Sequence, residues 1–194
     1  NIKKMQEMTH LNMIYLASRS PRRAELLQQI GVEFIILPSD IDETPLLNEQ
    51  SDAYVLRLAA EKARACYDVL ISQSAIIYPV LAADTTVSID GKILGKPQDD
   101  DEAFQMLSSI SGRCHEVHTG IAVATHDGVK VAISTTQVEM AKLSDETILA
   151  YIATEEPRDK AGAYGIQGLA GARIKRIEGS YSGVMGLPIF ETAQ

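Results

Sequence analysis

Cysteine is scarce in this 194-residue chain: Cys66 and Cys114 lie on separate segments with no C-x-x-C pattern between them. That leaves no disulfide framework and no thiolate cluster for zinc, and it suits two thiols packed as small hydrophobes. Excess positive charge is lacking as well. With 18 Lys and Arg against 26 Asp and Glu the formal charge is −8, so no broad basic face is expected for nucleic acid or a membrane surface, and any anion site has to be local. No apolar run is long enough to span a bilayer. The polar stretch Asn1–His10 carries Lys3 and Lys4 but is followed by no apolar h-region with a cleavage-like site. The expectation is a cytoplasmic protein.

Several nucleotide and hydrolase signatures are also missing. Gly91 to Lys96 is one residue too short between its glycines for a P-loop and runs into Pro97 instead of Ser or Thr. No G-x-G-x-x-G follows a strand, and no G-x-S-x-G occurs. His115 and His118 are three apart on a predicted strand, so they face opposite sides of a sheet and make a poor zinc pair.

What is present is a chain 45% hydrophobic without low-complexity tracts, enough for one substantial core, and residues 1–194 read as a single domain. Met13 to Ala17 is apolar enough for a buried strand, and Ala24, Leu26, Leu27 and Ile30 recur at helical spacing until Gly31. Between them, Ser18-Arg19-Ser20-Pro21-Arg22-Arg23 forms a strand-to-helix turn, with Ser20 as N-cap and Pro21 at the first helical position. Free amides, two hydroxyls and two guanidinium groups around one helix N-terminus make a place for phosphate. The alternative is an ordinary capped helix with solvated arginines.

Downstream, Glu33–Leu37 reads as a strand and residues 38–50 as an acidic loop holding Asp40, Asp42 and Glu43. Ser51 is expected to cap a long helix with an apolar stripe through Val55, Leu58, Ala59, Cys66 and Val69. Lys62 falls inside that stripe. Either its stem lies on the core with the ammonium snorkelling out, or it reaches into a cleft. Residues 79–83 read as a buried central strand with Asp84 and Thr85 at its C-terminal end, where ligands of open α/β sheets tend to lie. Residues 86–94 read as a hairpin turning at Asp90-Gly91, followed by Lys96 and a helix from about Asp99 to Ser109. Two long strands flank His126-Asp127-Gly128; a helix capped by Ser144 follows, with Leu143 and Ile148 as its hydrophobic staple. Residues 155–171 form a glycine-rich connection long enough to suggest function or disorder. A strand over 173–178 and a final apolar segment over 184–192 complete the pattern. The polar groups at element ends mix Lys and Arg with two carboxylates. That mixture suits a polyphosphate bridged to a divalent metal.

Six ordered motifs then carry a resemblance: LASRSPRRAELL from Leu16, IDET at 41–44, RLAAEKA at 57–63, LAADTTV at 81–87, GKP at 95–97 and DKAGAYGIQGLAG at 159–171. Together they resemble the Maf family of nucleoside triphosphate pyrophosphatases over nearly everything from Ile14 to Glu191, leaving residues 1–12 as an unmatched extension. The resemblance implies an α/β fold with an elongated mixed β-sheet flanked by helices and a central cleft between two lobes. It implies a cut between the α and β phosphates that depends on a divalent metal cation (Mg, Mn or Co), with Asp84 as catalytic carboxylate and Glu43 and Asp84 as metal ligands. Ser18, Ser20, Arg22, Lys62 and Lys96 are then the groups that bind the phosphates. Arg23, Thr85 and Gln167 look like the base-pocket residues of the branch acting on dTTP and UTP; the sister branch, acting on methylated guanosine triphosphate, carries Trp, Gln and Glu around those places. Arg19 fills a variable position of the first motif, where it would either crowd or help the phosphate. The expected partner is a nucleoside triphosphate, with no nucleic acid and no membrane; dimers are common in the family, so a homodimer is one expected assembly. The competing reading is a regulatory protein that senses nucleotides in cell division without turnover.

Overall fold

The computed structural model describes residues 13–194; the extension over residues 1–12 lies outside the described residues. A seven-stranded mixed sheet runs in the order β2-β1-β3-β5-β6-β7, with β4 paired to β3. The strands are β1 (Met13–Leu16), β2 (Glu33–Ile36), β3 (Val80–Ile89), β4 (Lys92–Leu94), β5 (Cys114–Thr125), β6 (Gly128–Met140) and β7 (Ile174–Glu178). β2, β1 and β3 are parallel, while β3, β5, β6 and β7 form an antiparallel meander. The helices are α1 (Pro21–Gln29), α2 (Ser51–Ser72), α3 (Asp100–Ile110), α4 (Asp145–Ile152), α5 (Tyr181–Met185) and α6 (Ile189–Thr192).

The apolar positions sort by strand parity, because successive side chains point to opposite faces. On one face, Val80, Ala82, Ala122 and Ala124 pack under α2 with Ala59, Ala63, Cys66 and Leu70. On the other, Leu81, Ala83 and Ile121 meet Leu26 and Leu27 of α1. Farther along that second face, Val87, Ile89, Val117 and Val138 pack against α3 and α4 through Leu107, Ile110 and Ile148.

Some local expectations change. The central strand does not stop before Asp84; β3 continues through it to Ile89, because β5 pairs with it from Val80 to Ser88. Gln50 occupies the N-cap of α2, making Ser51 its first residue. Val69 is exposed and Leu70 takes its place, since the buried ladder climbs by fours from Lys62 through Cys66. Ser20 does sit at the N-cap of α1, ahead of Pro21, but its hydroxyl makes no cap bond. The Ser18 hydroxyl instead accepts the Ser20 N–H at 3.2 Å. Ser144 caps α4 as expected, accepting the Thr147 N–H. The last apolar segment becomes two short helices, α5 and α6.

Residues 155–171 are ordered by short 3-10 turns rather than left loose. The Gly162 N–H donates to Gly95 O at 3.0 Å, and Glu156 accepts both from Tyr151 Oη at 2.8 Å and from the Leu169 N–H at 3.1 Å. Gly162 holds φ +68 with Val87 against it, and a Cβ there would lie 2.7 Å from Val87 Cγ2. The segment is thereby folded back over β3.

Candidate active site

A cleft of about 670 Å³ opens where β3 loses its neighbour on one edge. It is lined from four directions: the turn into α1, the acidic loop, β3 itself, and the folded-back segment with the end of α5. All the candidate residues, Ser18, Ser20, Arg22, Arg23, Glu43, Lys62, Asp84, Thr85, Lys96 and Gln167, line this one space.

At its centre is Lys62. The side chain does not snorkel: it is buried, and its Nζ lies 2.7 Å from Asp84 Oδ1 and 2.7 Å from Glu43 Oε1. The helix that carries it lies close to the sheet because Gly120, the register partner of Asp84, has no side chain. A Cβ there would come within 2.6 Å of Val55 O in α2. The acidic loop is fastened to the same helix. Tyr54 Oη donates to Glu43 O at 2.8 Å, Arg57 Nη2 to Thr44 O at 3.2 Å, and Ser39 Oγ to Lys62 O at 3.0 Å.

Burial pushes the Asp84 carboxyl above the ordinary aspartate value, against the pull of Lys62 and Arg23. Glu43 goes the other way: its partial burial acts to raise it, but Lys62, Lys96 and Arg23 together hold it below the usual carboxylate range. The two carboxylates thus have different proton affinities around one ammonium.

The turn into α1 supplies the other cations. Arg22 Nε donates to Met185 O at 3.3 Å, and the side chain stays in the cleft wall. The first intrahelical bond is Ala24 N–H to Ser20 O at 3.3 Å, so the N–H groups of Arg22 and Arg23 precede it. Ser20 and Lys96 have no side-chain partner among the described residues. Arg19 lies on the lining of the cleft but its guanidinium pairs with Asp40 at 2.7 Å, both exposed.

Arg23 is engaged on three sides, donating from Nε to Gly186 O at 2.7 Å, from Nη1 to Ser18 Oγ at 3.1 Å and from Nη2 to Thr85 Oγ1 at 3.2 Å. Burial lowers its pKa from the usual arginine value, with Asp84 opposing. Gln167 is exposed on the cleft rim. The folded-back segment comes near the turn into α1 through Asp159, whose Oδ2 lies 3.9 Å from Arg22 Nη1.

Three contributors were not singled out in the sequence. Thr119 bonds Thr85 Oγ1 at 2.8 Å; its only signal is a hydroxyl beside the apolar run Ile121–Ala124. Gly120 admits α2. Lys160 lines the cleft while bonding Glu156 O and Asp159 Oδ1, each at 2.7 Å; it stands inside the glycine-rich motif but without a periodicity that would mark it.

Among the described residues no group of three His, Cys, Asp or Glu converges as a metal cage. Glu43 and Asp84 do place two carboxylates in one neighbourhood, each 2.7 Å from the Lys62 ammonium. That donor set fits a hard cation of the magnesium type, which commonly takes one or two carboxylates and completes its shell with water and substrate phosphate.

Sequence comparison defines the class: the chain belongs to the Maf family, with residues 13–194 matching the pattern described as Maf-like protein. Among individual relatives, a dTTP/UTP pyrophosphatase of Methylobacillus flagellatus is 66% identical over 185 residues, covering 95% of this chain and 92% of its own. A nucleoside triphosphate pyrophosphatase of Haemophilus ducreyi is 50% identical, covering 92% and 91%. A dTTP/UTP pyrophosphatase of Nitrosomonas europaea is 50% identical, covering 94% and 92%. A solved structure described as the Staphylococcus aureus Ham1 protein superposes with a TM-score of 0.47 at 17% identity, over 66% of this chain and 72% of that one. That likeness is too distant to bear on function.

Proposed function

We infer that this protein is a nucleoside triphosphate pyrophosphatase that hydrolyses dTTP and UTP to the monophosphate and pyrophosphate. The single observation that carries the chemistry is the buried Lys62 ammonium between Glu43 and Asp84 in a cleft walled by Arg22 and Lys96. The pyrimidine preference draws support from relatives 66% and 50% identical that are named for it.

In this reading Asp84 takes a proton from water as its oxygen attacks the α-phosphorus, and the bond from the α-phosphorus to the α–β bridging oxygen breaks. Pyrophosphate leaves with that oxygen. Asp84 is suited to the task, since burial raises its affinity for a proton while Lys62 keeps it oriented. Lys62, Arg22 and Lys96 stabilise charge that moves toward the leaving pyrophosphate, and Ser18, Ser20 and the first amides of α1 hold phosphoryl oxygens. A divalent cation (Mg, Mn or Co) held by Glu43 and Asp84 would polarise the phosphates and the attacking water. Arg23, Thr85 and Gln167 surround the base. The enzyme acts in the cytoplasm, alone or as a homodimer, without a nucleic-acid or membrane partner; among the described residues no helix is long and apolar enough to cross a membrane.

The test is incubation with a panel of triphosphates and a divalent cation, with product analysis. Pyrophosphate and monophosphate from dTTP and UTP are expected. Release of orthophosphate, or tight nucleotide binding without turnover, would overturn the assignment, the second outcome indicating a sensor.

A further inference from the structure

Glu43 differs from the other charged groups around Lys62 in what carries it. Lys62 stands on α2 and Asp84 on β3, each inside a regular array of main-chain bonds, whereas Glu43 stands in residues 37–50, which hold no helix or strand. Among the described residues, the one main-chain bond internal to this loop is Glu49 N–H to Leu46 O at 3.1 Å. The Glu43 carboxylate leans on Lys62 Nζ at 2.7 Å. A second cation brought to the same oxygens repels that ammonium and weakens the contact. The carboxylate then depends on what holds its main chain.

The hold comes from one face of α2. Tyr54 Oη donates to Glu43 O at 2.8 Å and Arg57 Nη2 to Thr44 O at 3.2 Å, so two consecutive carbonyls are gripped from residues one turn apart. The Arg57 guanidinium also meets Glu49 fork to fork, with Nε 2.6 Å from Oε1 and Nη2 2.8 Å from Oε2. Glu49 Oε2 in turn accepts the Leu46 N–H at 2.9 Å. The guanidinium lies 5.7 Å from the centroid of the Tyr54 ring. The Arg57 and Glu49 side chains are 20% and 7% exposed, so this is a shielded pair, unlike the solvated ones that contribute little. Neither of the two lines the cleft.

We propose that Arg57 is a positioning residue of the reaction: through Glu49 and the Thr44 carbonyl it fixes where the Glu43 carboxylate stands relative to Asp84, and so sets the affinity for the divalent cation. The proposal rests on the reading of Glu43 and Asp84 as the carboxylates that hold this cation. A small hard cation tolerates little misplacement of its oxygen ligands. A loop released from Arg57 keeps Glu43 chemically intact but has to be ordered each time the cation binds, which lowers affinity. Glu49, more than two residues from any cleft-lining loop position except through Arg57, is then part of the same clamp.

The test is a titration of the nucleotide-free protein with Mn²⁺, the free ion being followed by electron paramagnetic resonance, for wild type, Arg57→Lys, Glu43→Gln and the double variant. One ammonium cannot reproduce the fork to Glu49 together with the bond to Thr44 O. Arg57→Lys should raise the Kd for Mn²⁺ by about tenfold, the scale for partners that orient the ligands of a metal. In the Glu43→Gln background the same change should add less than about twofold, because the group it acts through is gone. With UTP as substrate, the Mn²⁺ needed for half-maximal turnover should rise in step, while kcat at saturating Mn²⁺ returns to within about threefold of wild type. An unchanged Kd in Arg57→Lys overturns the proposal, and loss of thermal stability alone makes Arg57 a structural residue. An equal loss of affinity in both backgrounds overturns it as well. If Arg57→Lys does not fold, Glu49→Gln, which sets an amide N–H among donors, decides on the same terms. A wild-type protein that binds no Mn²⁺ also overturns it, while UTP turnover still decides the pyrophosphatase reading. If Mn²⁺ binds but no triphosphate is turned over, the enzymatic reading fails and the binding comparison still decides the role of Arg57.

Discussion

Asp84 and Thr85 are neighbours in sequence but serve opposite faces of β3, and the two walls they build differ in kind. The Asp84 wall is charged: one buried ammonium between two carboxylates, under a long helix. The Thr85 wall is a relay of neutral acceptors and hydroxyls ending on main-chain carbonyls, with Arg23 its one cation. The charged wall is equipped to move a proton and stabilise developing charge. The other fixes where a strand edge lies. In the proposed function, one strand thus separates chemistry from recognition with no more than a change of parity.

Breaking the charged wall should have the largest effect. Asp84→Asn keeps the shape and removes the base, and kcat should fall by about two orders of magnitude or more; near-normal turnover by a folded variant would remove Asp84 from the mechanism. Lys62→Met keeps most of the stem but leaves Asp84 buried without its cation. Turnover is expected to drop by about a hundredfold, the scale of a preorganised charge contact, and a variant that loses only stability would make Lys62 a structural residue. Steady-state kinetics beside thermal unfolding separates the two.

Arg23→Lys tests the other wall. A single ammonium cannot serve Gly186 O, Ser18 Oγ and Thr85 Oγ1 together, so UTP turnover should weaken by about tenfold, chiefly through KM. A fall in kcat as deep as that of Lys62→Met would erase the division between the walls.

The last effect concerns stability in acid and leaves turnover aside. His115 lies on the Thr85 face, its Nε2 2.7 Å from Tyr164 Oη, and burial pushes its pKa down to about 4. Its ordinary value is about 6.5, so in that window the unfolded chain binds the additional proton. The stabilising contribution is therefore complete above about pH 6.5 and is lost as pH falls toward 4, by up to about 3 kcal/mol. Thermal unfolding from pH 7 to 4.5 should show a smaller drop for His115→Gln than for wild type; equal drops would mean that another group governs acid sensitivity.

Much of this arrangement was legible in the chain. The helical spacing after Pro21, the alternation along the two long strands and the place of Lys62 inside an apolar stripe follow from periodicity, which depends only on local backbone geometry. The candidate residues were found as polar groups near predicted element ends. That criterion misplaced Asp84, which sits inside a strand that β5 keeps regular. It passed over Thr119 and Gly120, whose roles come from what lies across from them.

The sequence by itself therefore determined which residue types were available, on which elements and with which parity, because these are local properties. Only the tertiary structure decided that Glu43 and Asp84, 41 positions apart in number, meet at one ammonium, and that β3 is bare between its partners β1 and β4. A hydrogen bond between remote segments has no signature in either segment. Lys62 could be read as inward from its helix, but its two carboxylates were supplied by a loop and a strand that only folding brings to it.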